Sequence, residues 1–181
     1  MTYLVVAVIG LTLLCVLNLV FTYGVVRRLR EHGDVLAAGV NRGAGPGPLL
    51  AVGEFVGEFS AFTTEGEPID RDSLVGRTTI AFFSTDCDSC HEQLPVFVDW
   101  AAGRSDGSTG LLAVVEGARA NAADMVAALR PVARVVTVTD PAAGITTAFR
   151  VRAFPSFFHV EDGVVRGSTL DAADLAHTFA A

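Results

Sequence analysis

Two cysteines at the end of an apolar run constrain this chain more than any other feature. Residues 80–91 read I-A-F-F-S-T-D-C-D-S-C-H, so Cys87 and Cys90 stand where a buried-strand pattern gives way to a helical one. The 181 residues contain three cysteines, which is too few for a disulfide scaffold. A strand that leads into C-x-x-C at the start of a helix indicates a redox-active cysteine pair in an α/β sheet.

The charge of the chain excludes some classes of partner. Residues 51–181 hold nine arginines against eighteen acidic residues, which gives a net charge of −9. Nucleic acid is therefore not expected as a partner, because phosphate contacts need clustered positive charge. The sequence has no lysine, which removes lysine Schiff-base and P-loop chemistry.

The N-terminal residues predict a membrane anchor. Tyr3 to Val26 is a run of 24 residues without a charge, and as a helix it would span roughly 36 Å, more than the apolar layer of a bilayer. A cleaved signal peptide is the alternative. It is disfavoured because no basic residue precedes the run, the run is long, and no A-x-A site follows closely. We therefore predict a transmembrane anchor over residues 1–26, with the membrane as a partner.

A juxtamembrane segment and linker are expected over residues 27–51. Arg27, Arg28 and Arg30 follow the apolar run directly, and this positive flank favours a cytoplasmic location for what comes after it. Residues 41–48 read N-R-G-A-G-P-G-P. Glycine and proline at that density predict a flexible linker.

Residues 52–181 have the pattern of one α/β domain. The order is strand, helix, strand, helix, strand, then a β-hairpin and a last helix, which predicts a mixed sheet with helices on its faces. The predicted strands cover residues 78–84, 111–116, 135–139, 157–160 and 164–167. The predicted helices run from Cys87 to about Ala102, over 121–129 with Asn121 as N-cap, from Asp140 to about Phe149, and from a cap at Thr169 or Asp171 to Phe179.

The cysteine pair has the spacing that disulfide exchange needs. The thiolate is the nucleophile, and at Cys87 it would meet the positive end of a helix dipole. Cys90, one turn later, would resolve the mixed disulfide. Three alternatives remain: two inert core thiols, half of a zinc site, or covalent haem attachment, because Cys87 to His91 also spells C-x-x-C-H with His91 as axial ligand.

Several further segments accompany the cysteine pair. Phe55-Val-Gly-Glu-Phe59 precedes a turn at Glu65-Gly66, and Leu74-Val-Gly-Arg77 leads into the strand before the cysteines. Glu92-Gln-Leu-Pro95 follows them, and Pro155 and Ser156 come 65 and 66 residues after Cys90, before the Asp162-Gly163 turn. Over about 130 residues this pattern resembles the TlpA- and ResA-like family of membrane-anchored, thioredoxin-fold thiol–disulfide oxidoreductases. The anchor with its arginine flank is also similar to MauD-type proteins.

The resemblance implies an activity and a site. It implies a thioredoxin-like domain that exchanges disulfides with protein or small thiols, and that faces the outside of the cytoplasm, against the arginine flank. Cys87 would be the nucleophile and Cys90 the resolving thiol. Pro155 would be a cis proline that positions substrate, with Phe154 and Ser156 beside it as substrate-binding residues. A cis X–Pro bond turns the chain tightly, so the backbone of Phe154 can pair with an added substrate strand.

This chain departs from the family pattern at the proton acceptors. Ala81 and Gln93 stand where relatives carry an acid, and Asp86 stands where tryptophan is common. Asp86, Asp88, His91 and Glu92 are therefore the candidates for proton transfer or for tuning the thiol pKa. Because nearby carboxylates oppose a thiolate, we expect disulfide reduction rather than oxidation.

The sequence leaves two other functions open. A redoxin-type thiol peroxidase shares the expected fold, but the P-x-x-x-T-x-x-C pattern is absent. A non-catalytic binding or maturation factor is the other alternative. The expected partners are protein thiols and disulfides and an unidentified electron donor. No metal and no cofactor beyond the Cys87–Cys90 disulfide are expected.

Overall fold

The computed structural model describes residues 49–104, 110–140 and 144–179, together with Tyr3, Leu4 and Leu14. The chain divides into two compact units, Met1–Gly45 and Pro46–Ala181. Tyr3, Leu4 and Leu14 are helical, and the rest of the predicted anchor and most of the predicted linker lie outside the described residues. Within the described part of the chain, no helix is long and apolar enough to cross a membrane.

In the second unit the described residues form seven strands. They are β1 (Ser60–Phe62), β2 (Pro68–Asp70), β3 (Arg77–Ser84), β4 (Leu111–Glu116), β5 (Arg134–Val138), β6 (Ser156–Glu161) and β7 (Val164–Thr169). β1 and β2 pair as a small antiparallel hairpin, and the other five form one sheet in the order β5-β4-β3-β6-β7. β3 pairs parallel with β4 and antiparallel with β6. The mixed sheet that the pattern predicted is therefore present, with the strand before the cysteines at its centre.

Four α-helices accompany the sheet in the described residues. They are α1 (Asp88–Ala102), α2 (Arg119–Leu129), α3 (Gly144–Ala148) and α4 (Leu175–Thr178), and 3-10 turns occupy Arg71–Ser73 and Ala172–Asp174. The predicted cap at Asn121 is wrong. α2 begins two residues earlier with Ala118 as N-cap and without a side-chain cap bond. The helix buries Ala122, Met125 and Leu129, so packing on the sheet replaces the cap as the stabilising contact.

Two hydrophobic clusters cover the two faces of the sheet. Alternate residues of β3 contribute to each: Ile80 and Phe82 face one cluster, and Ala81 and Phe83 face the other. Side chains of α1, α2 and α4 complete the second cluster, while α3 and the residues before β1 complete the first. The continuous apolar run of β3 is explained by this burial on both faces.

The residues that precede β1 belong to the domain. Leu50 is 1% exposed and lies in the first cluster. The backbone N–H groups of Gly53 and Val56 donate to Val165 and Gly163 at 2.8 and 2.9 Å, and that of Gly57 donates to Ala148 at 3.2 Å. Residues 50–57, which we call the entry segment, are therefore hydrogen-bonded to the hairpin β6–β7 and to the end of α3. The domain begins before the predicted boundary at residue 52.

Candidate active site

Cys87 occupies the junction between the central strand and the first helix. β3 ends at Ser84, and Cys87 is the N-cap of α1, with an extended backbone at φ −119° and ψ 108°. Its sulfur accepts a hydrogen bond from the backbone N–H of Cys90 at 3.1 Å. The rings of Phe83 and Phe97 pack edge to face at 5.5 Å between β3 and α1. Aromatic packing thus holds the middle of α1 against the end of β3. The helix N-terminus favours negative charge on the sulfur.

The two cysteines are joined as a disulfide and differ in exposure. Their Cα atoms are 5.2 Å apart. Cys87 is half-buried, whereas Cys90 is 0% exposed. The backbone N–H of Ser84 donates to the sulfur of Cys90 at 3.4 Å. An incoming thiol can therefore reach Cys87, while Cys90 is available only to its neighbour.

The loop before β6 lies against the sulfur of Cys87. The Phe154–Pro155 peptide bond is cis, and the carbonyl oxygen of Phe154 lies 3.4 Å from Cys87 Sγ. The hydroxyl of Ser156 donates to the carbonyl of Ala153, and Pro155 and Ser156 are buried. The structure thus brings together Cys87, Cys90, Phe154 and Pro155. The buried Ser156 supports the loop from within, and the substrate contacts assigned to these loop residues stay predictions.

His91 holds the turn that precedes the cysteines. Its Nε2 donates to the backbone carbonyl of Thr85 at 3.1 Å, and the backbone N–H of Thr85 donates to Glu116 at 2.9 Å. The side chain of His91 is exposed. The turn is therefore pinned from α1 and from β4.

The three acidic residues near the disulfide lie at the surface. Asp86, Asp88 and Glu92 are all exposed. They border Cys87 in sequence on both sides, and the side of the site formed by the start of α1 is therefore acidic. Ala81, where a buried acid was noted as missing, is 0% exposed and packs in the sheet.

Gln93 has a structural role that the sequence did not reveal. Its Oε1 accepts from the backbone N–H of Ala172 at 2.7 Å, and its Nε2 donates to the hydroxyl of Ser89 at 3.0 Å. The side chain therefore ties α1 to the turn before α4. No sequence pattern signals this contact, because the partner is a backbone group 79 residues away.

Glu116 is a second polar residue that the sequence analysis missed. It is paired with Ser84 across β3 and β4. Its Oε2 is buried and has no hydrogen-bond partner among the described residues. Burial raises the pKa of this carboxyl above its ordinary value of 4.5. An acid at the end of the apolar run L-L-A-V-V-E was the visible clue.

No group of three His, Cys, Asp or Glu side chains in the described part of the chain could hold a metal ion.

The central mixed sheet, the cysteine pair at the start of α1 and the cis-proline loop beside it define a thioredoxin-like α/β domain. The sequence matches no protein-family model and no curated protein. Among solved structures, the domain is similar to the thioredoxin domain of a thiol–disulfide oxidoreductase from Bacteroides vulgatus, with a TM-score of 0.59 and 16% identity over 71% of this chain and 94% of that one.

Two mycobacterial structures are also similar. One is a secreted disulfide oxidoreductase of Mycobacterium tuberculosis that is homologous to E. coli DsbE, with a TM-score of 0.53 and 17% identity over 66% of this chain and 92% of that one. The other is DsbF of M. tuberculosis in mixed oxidised and reduced forms, with a TM-score of 0.54 and 22% identity over 66% and 90%. These similarities confirm the predicted thioredoxin-like fold.

Proposed function

We propose that this protein is a membrane-tethered thiol–disulfide oxidoreductase of the TlpA/ResA-like, MauD-like type, which reduces disulfides through Cys87 and Cys90. One observation carries the proposal. The half-buried sulfur of Cys87 caps the N-terminus of α1, is bonded to a fully buried Cys90, and lies 3.4 Å from the Phe154 carbonyl beside a cis peptide bond.

Exchange begins with the reduced pair. The thiolate of Cys87 attacks a substrate disulfide, one substrate thiol leaves, and a mixed disulfide forms. The backbone N–H of Cys90, 3.1 Å from Cys87 Sγ, stabilises negative charge on the attacking sulfur. Cys90 then attacks Cys87, which releases the second substrate thiol and restores the internal disulfide. A reductant must return two electrons, and an unidentified electron donor is the proposed partner.

The substrate is proposed to bind as an extended segment along the cis-proline loop. The backbone of Phe154 lies beside the reacting sulfur, and main-chain hydrogen bonds to an added strand would hold a peptide there. Pro155 sets the direction of the loop, and the bond from Ser156 to Ala153 supports it. This arrangement suits protein thiols and small thiols alike.

The acidic residues favour the reducing direction. A helix N-terminus stabilises a thiolate by roughly 0.3–1 kcal/mol, and by up to about 2 kcal/mol when partly buried. A carboxylate at about 4 Å opposes it by about 1 kcal/mol in water and about 4 kcal/mol at an effective dielectric constant of 20. Asp86 and Asp88 can therefore cancel the stabilisation of the Cys87 thiolate by the helix N-terminus. Glu92 and His91 are proposed as further groups that tune the thiol pKa or transfer protons. A measured reduction potential near −120 mV, that of a strong oxidant such as DsbA, would contradict this direction.

The activity is tested by reduction of insulin with dithiothreitol as electron donor. We expect turnover by the wild type and its loss in Cys87→Ser. Retained partner binding without any disulfide reduction in the wild type would indicate a binding factor instead. Rapid thiol-dependent consumption of hydrogen peroxide would indicate a peroxidase.

The membrane location is proposed from the sequence. Tyr3 to Val26 would anchor the chain, and we place the domain outside the cytoplasm, where disulfides persist; one similar structure is described as secreted. An impermeant thiol reagent applied to whole cells should label reduced Cys87. Labelling only after lysis would place the domain in the cytoplasm, as the flank of Arg27, Arg28 and Arg30 alone suggests.

A further inference from the structure

A small basic cavity lies next to the cis-proline loop. It has a volume of about 220 Å³ and is lined by Thr146, Thr147, Arg150, Val151 and Arg152. These residues span the end of α3 and the segment that leads to Phe154. Two arginines on one cavity are notable because residues 51–181 carry a net charge of −9, from nine arginines and eighteen acids.

The arginines of the cavity retain hydrogen-bonding capacity. Arg152 is exposed and makes no hydrogen bond or ion pair with any described residue. Arg150 contacts Glu54 through Nη1 at 3.0 Å, and a guanidinium has five N–H donors. Guanidinium groups match the planar geometry of a carboxylate, which they bind through two parallel hydrogen bonds.

The cavity wall contains a further polar group without a partner. Thr146 is 4% exposed, and its hydroxyl oxygen has no hydrogen-bond partner among the described residues. Arg150 has φ 50°, a backbone conformation that is uncommon for residues other than glycine. Two backbone bonds hold it there, from Arg150 to Thr147 at 3.0 Å and from Val151 to Thr146 at 3.1 Å. The loop is therefore fixed by local bonds while the arginine side chains remain at the surface.

The cavity is within reach of the reacting sulfur. Arg152 precedes Phe154 by two residues, a distance of at most roughly 7 Å between Cα atoms. The carbonyl of Phe154 lies 3.4 Å from Cys87 Sγ. One small molecule, or one short peptide, can therefore place an anionic group in the cavity and its sulfur at Cys87.

We propose that this cavity is a carboxylate subsite of the exchange site, so that the preferred substrates are disulfides with a carboxylate a few bonds from sulfur. The proposal rests on the proposed disulfide reductase function. In the reaction, the Cys87 thiolate bonds to one substrate sulfur, the substrate S–S bond breaks, and the leaving thiolate takes a proton. Cys90 then displaces the second substrate thiol. The two protein thiols supply two electrons, and a dithiol reduces the protein again.

The substrate side of the site is thereby divided by charge. Asp86, Asp88 and Glu92 make the side near α1 acidic. On the side near the cis-proline loop, Arg150 is paired with Glu54, and Arg152 supplies the positive charge. A carboxylate-bearing substrate is repelled on the first side and bound on the second, which fixes the direction in which it lies across Cys87.

The first test is a ratio of rates. Dithiothreitol-driven reduction is measured with oxidised glutathione, which carries carboxylates, and with bis(2-hydroxyethyl) disulfide, which is neutral. Arg152→Gln should lower the ratio of kcat/KM for the charged over the neutral disulfide by about fivefold, through KM, as expected for one partly exposed charge contact. Arg166→Gln is the matched control, because Arg166 pairs with Glu161 in the β6–β7 hairpin, and it should leave the ratio unchanged.

The second test does not depend on redox chemistry. S-methylglutathione, which cannot exchange, should shift the NMR amide signals of Thr146 and Thr147 in the oxidised protein, and Arg152→Gln should weaken this binding by a similar factor. Three results would each overturn the subsite. They are the absence of these shifts, an unchanged rate ratio in Arg152→Gln, and reversal of the shifts by inorganic phosphate at a lower concentration than S-methylglutathione needs to produce them. Failure to reduce the neutral disulfide would overturn the proposed function alone, and the amide shifts would still decide the subsite.

Discussion

Gly117 leaves no space for a side chain beside the turn that carries the cysteines. It follows β4 with φ 138°. A Cβ built on this residue would lie 2.8 Å from Cγ2 and 2.9 Å from Cβ of Thr85, whereas carbon atoms in contact are about 3.5–4.0 Å apart. Oγ1 of Thr85 would lie closer still. Gly117→Ala must therefore rotate the Thr85 side chain and displace it by at least about 1 Å, or bend the end of β4.

The cost can be estimated from two contributions. Overpacking of a well-packed site costs about 1–3 kcal/mol, and a backbone conformation that suits only glycine costs about 1–3 kcal/mol more. We expect Gly117→Ala to lower the free energy of unfolding by about 2–6 kcal/mol, a large share of the roughly 5–15 kcal/mol of a typical domain.

The same substitution should slow disulfide exchange. Thr85 stands two residues before Cys87, and its backbone is bonded to Glu116 at 2.9 Å and to His91 at 3.1 Å. Displacement of Thr85 strains both bonds and moves the N-cap of α1. The rate of insulin reduction should fall even at temperatures where the variant is fully folded.

Two further variants separate the contributions. Gly66 also has a positive φ, 87°, but nothing lies within 4 Å of a Cβ built there, so Gly66→Ala measures the backbone cost alone. Thr85→Ala in the Gly117→Ala background removes Oγ1 and Cγ2 and should recover part of the overpacking cost. Urea unfolding of the oxidised proteins gives the free energies. Equal costs for Gly117→Ala and Gly66→Ala, or no recovery in the double variant, would refute the steric reasoning.

Three further predictions concern the cysteines and two carboxyl groups. Cys90→Ser should accumulate a mixed disulfide with substrate, visible by mass spectrometry, and Cys87→Ser should not, because only Cys87 is accessible. Burial raises the pKa of Glu116. Its contribution to stability is therefore fully present below pH 4.5, where the carboxyl is protonated, and is lost as pH rises through the folded pKa. Glu116→Gln should therefore gain stability relative to wild type between pH 4.5 and 7, and a constant difference across this range would count against it. The Ala51 N–H, with Arg150 adding, lowers the pKa of Glu54, so its stabilisation is present at pH 7 and is lost as pH falls through the folded pKa. Glu54→Gln should cost stability at pH 7, and this cost should shrink as pH falls below 4.5, as urea midpoints would show.

The parts of the site that depend on local pattern were predictable from the sequence. Three features can each be recognised from a few residues of sequence: a buried strand, a C-x-x-C at a helix start, and a proline before the last hairpin. The bounds of β4 were predicted as residues 111–116, as found, because an apolar run with glycine on both sides marks its own ends. The order of these elements along the chain then predicted a mixed sheet with helices on its faces, but the strand order β5-β4-β3-β6-β7 came from the structure.

The parts that depend on distant backbone groups were not predictable. The bond from Gln93 to Ala172 joins residues 79 positions apart, and the contact of Gly117 with Thr85 crosses two strands. The turn at Glu65-Gly66 was predicted, but strand β2 after it was missed because three-residue strands carry too few residues to show alternation. Glu116 looked like the polar end of a strand, and only its position beside Ser84 reveals a buried oxygen.

The burial of Leu50 has a consequence for proteolysis. A protease that cuts before residue 46 would release a domain with its core intact. A cut after Leu50 would remove a side chain that is 1% exposed, and loss of a buried leucine costs about 2–5 kcal/mol. The position of a cut relative to the entry segment therefore decides whether the released domain is stable or is soon degraded.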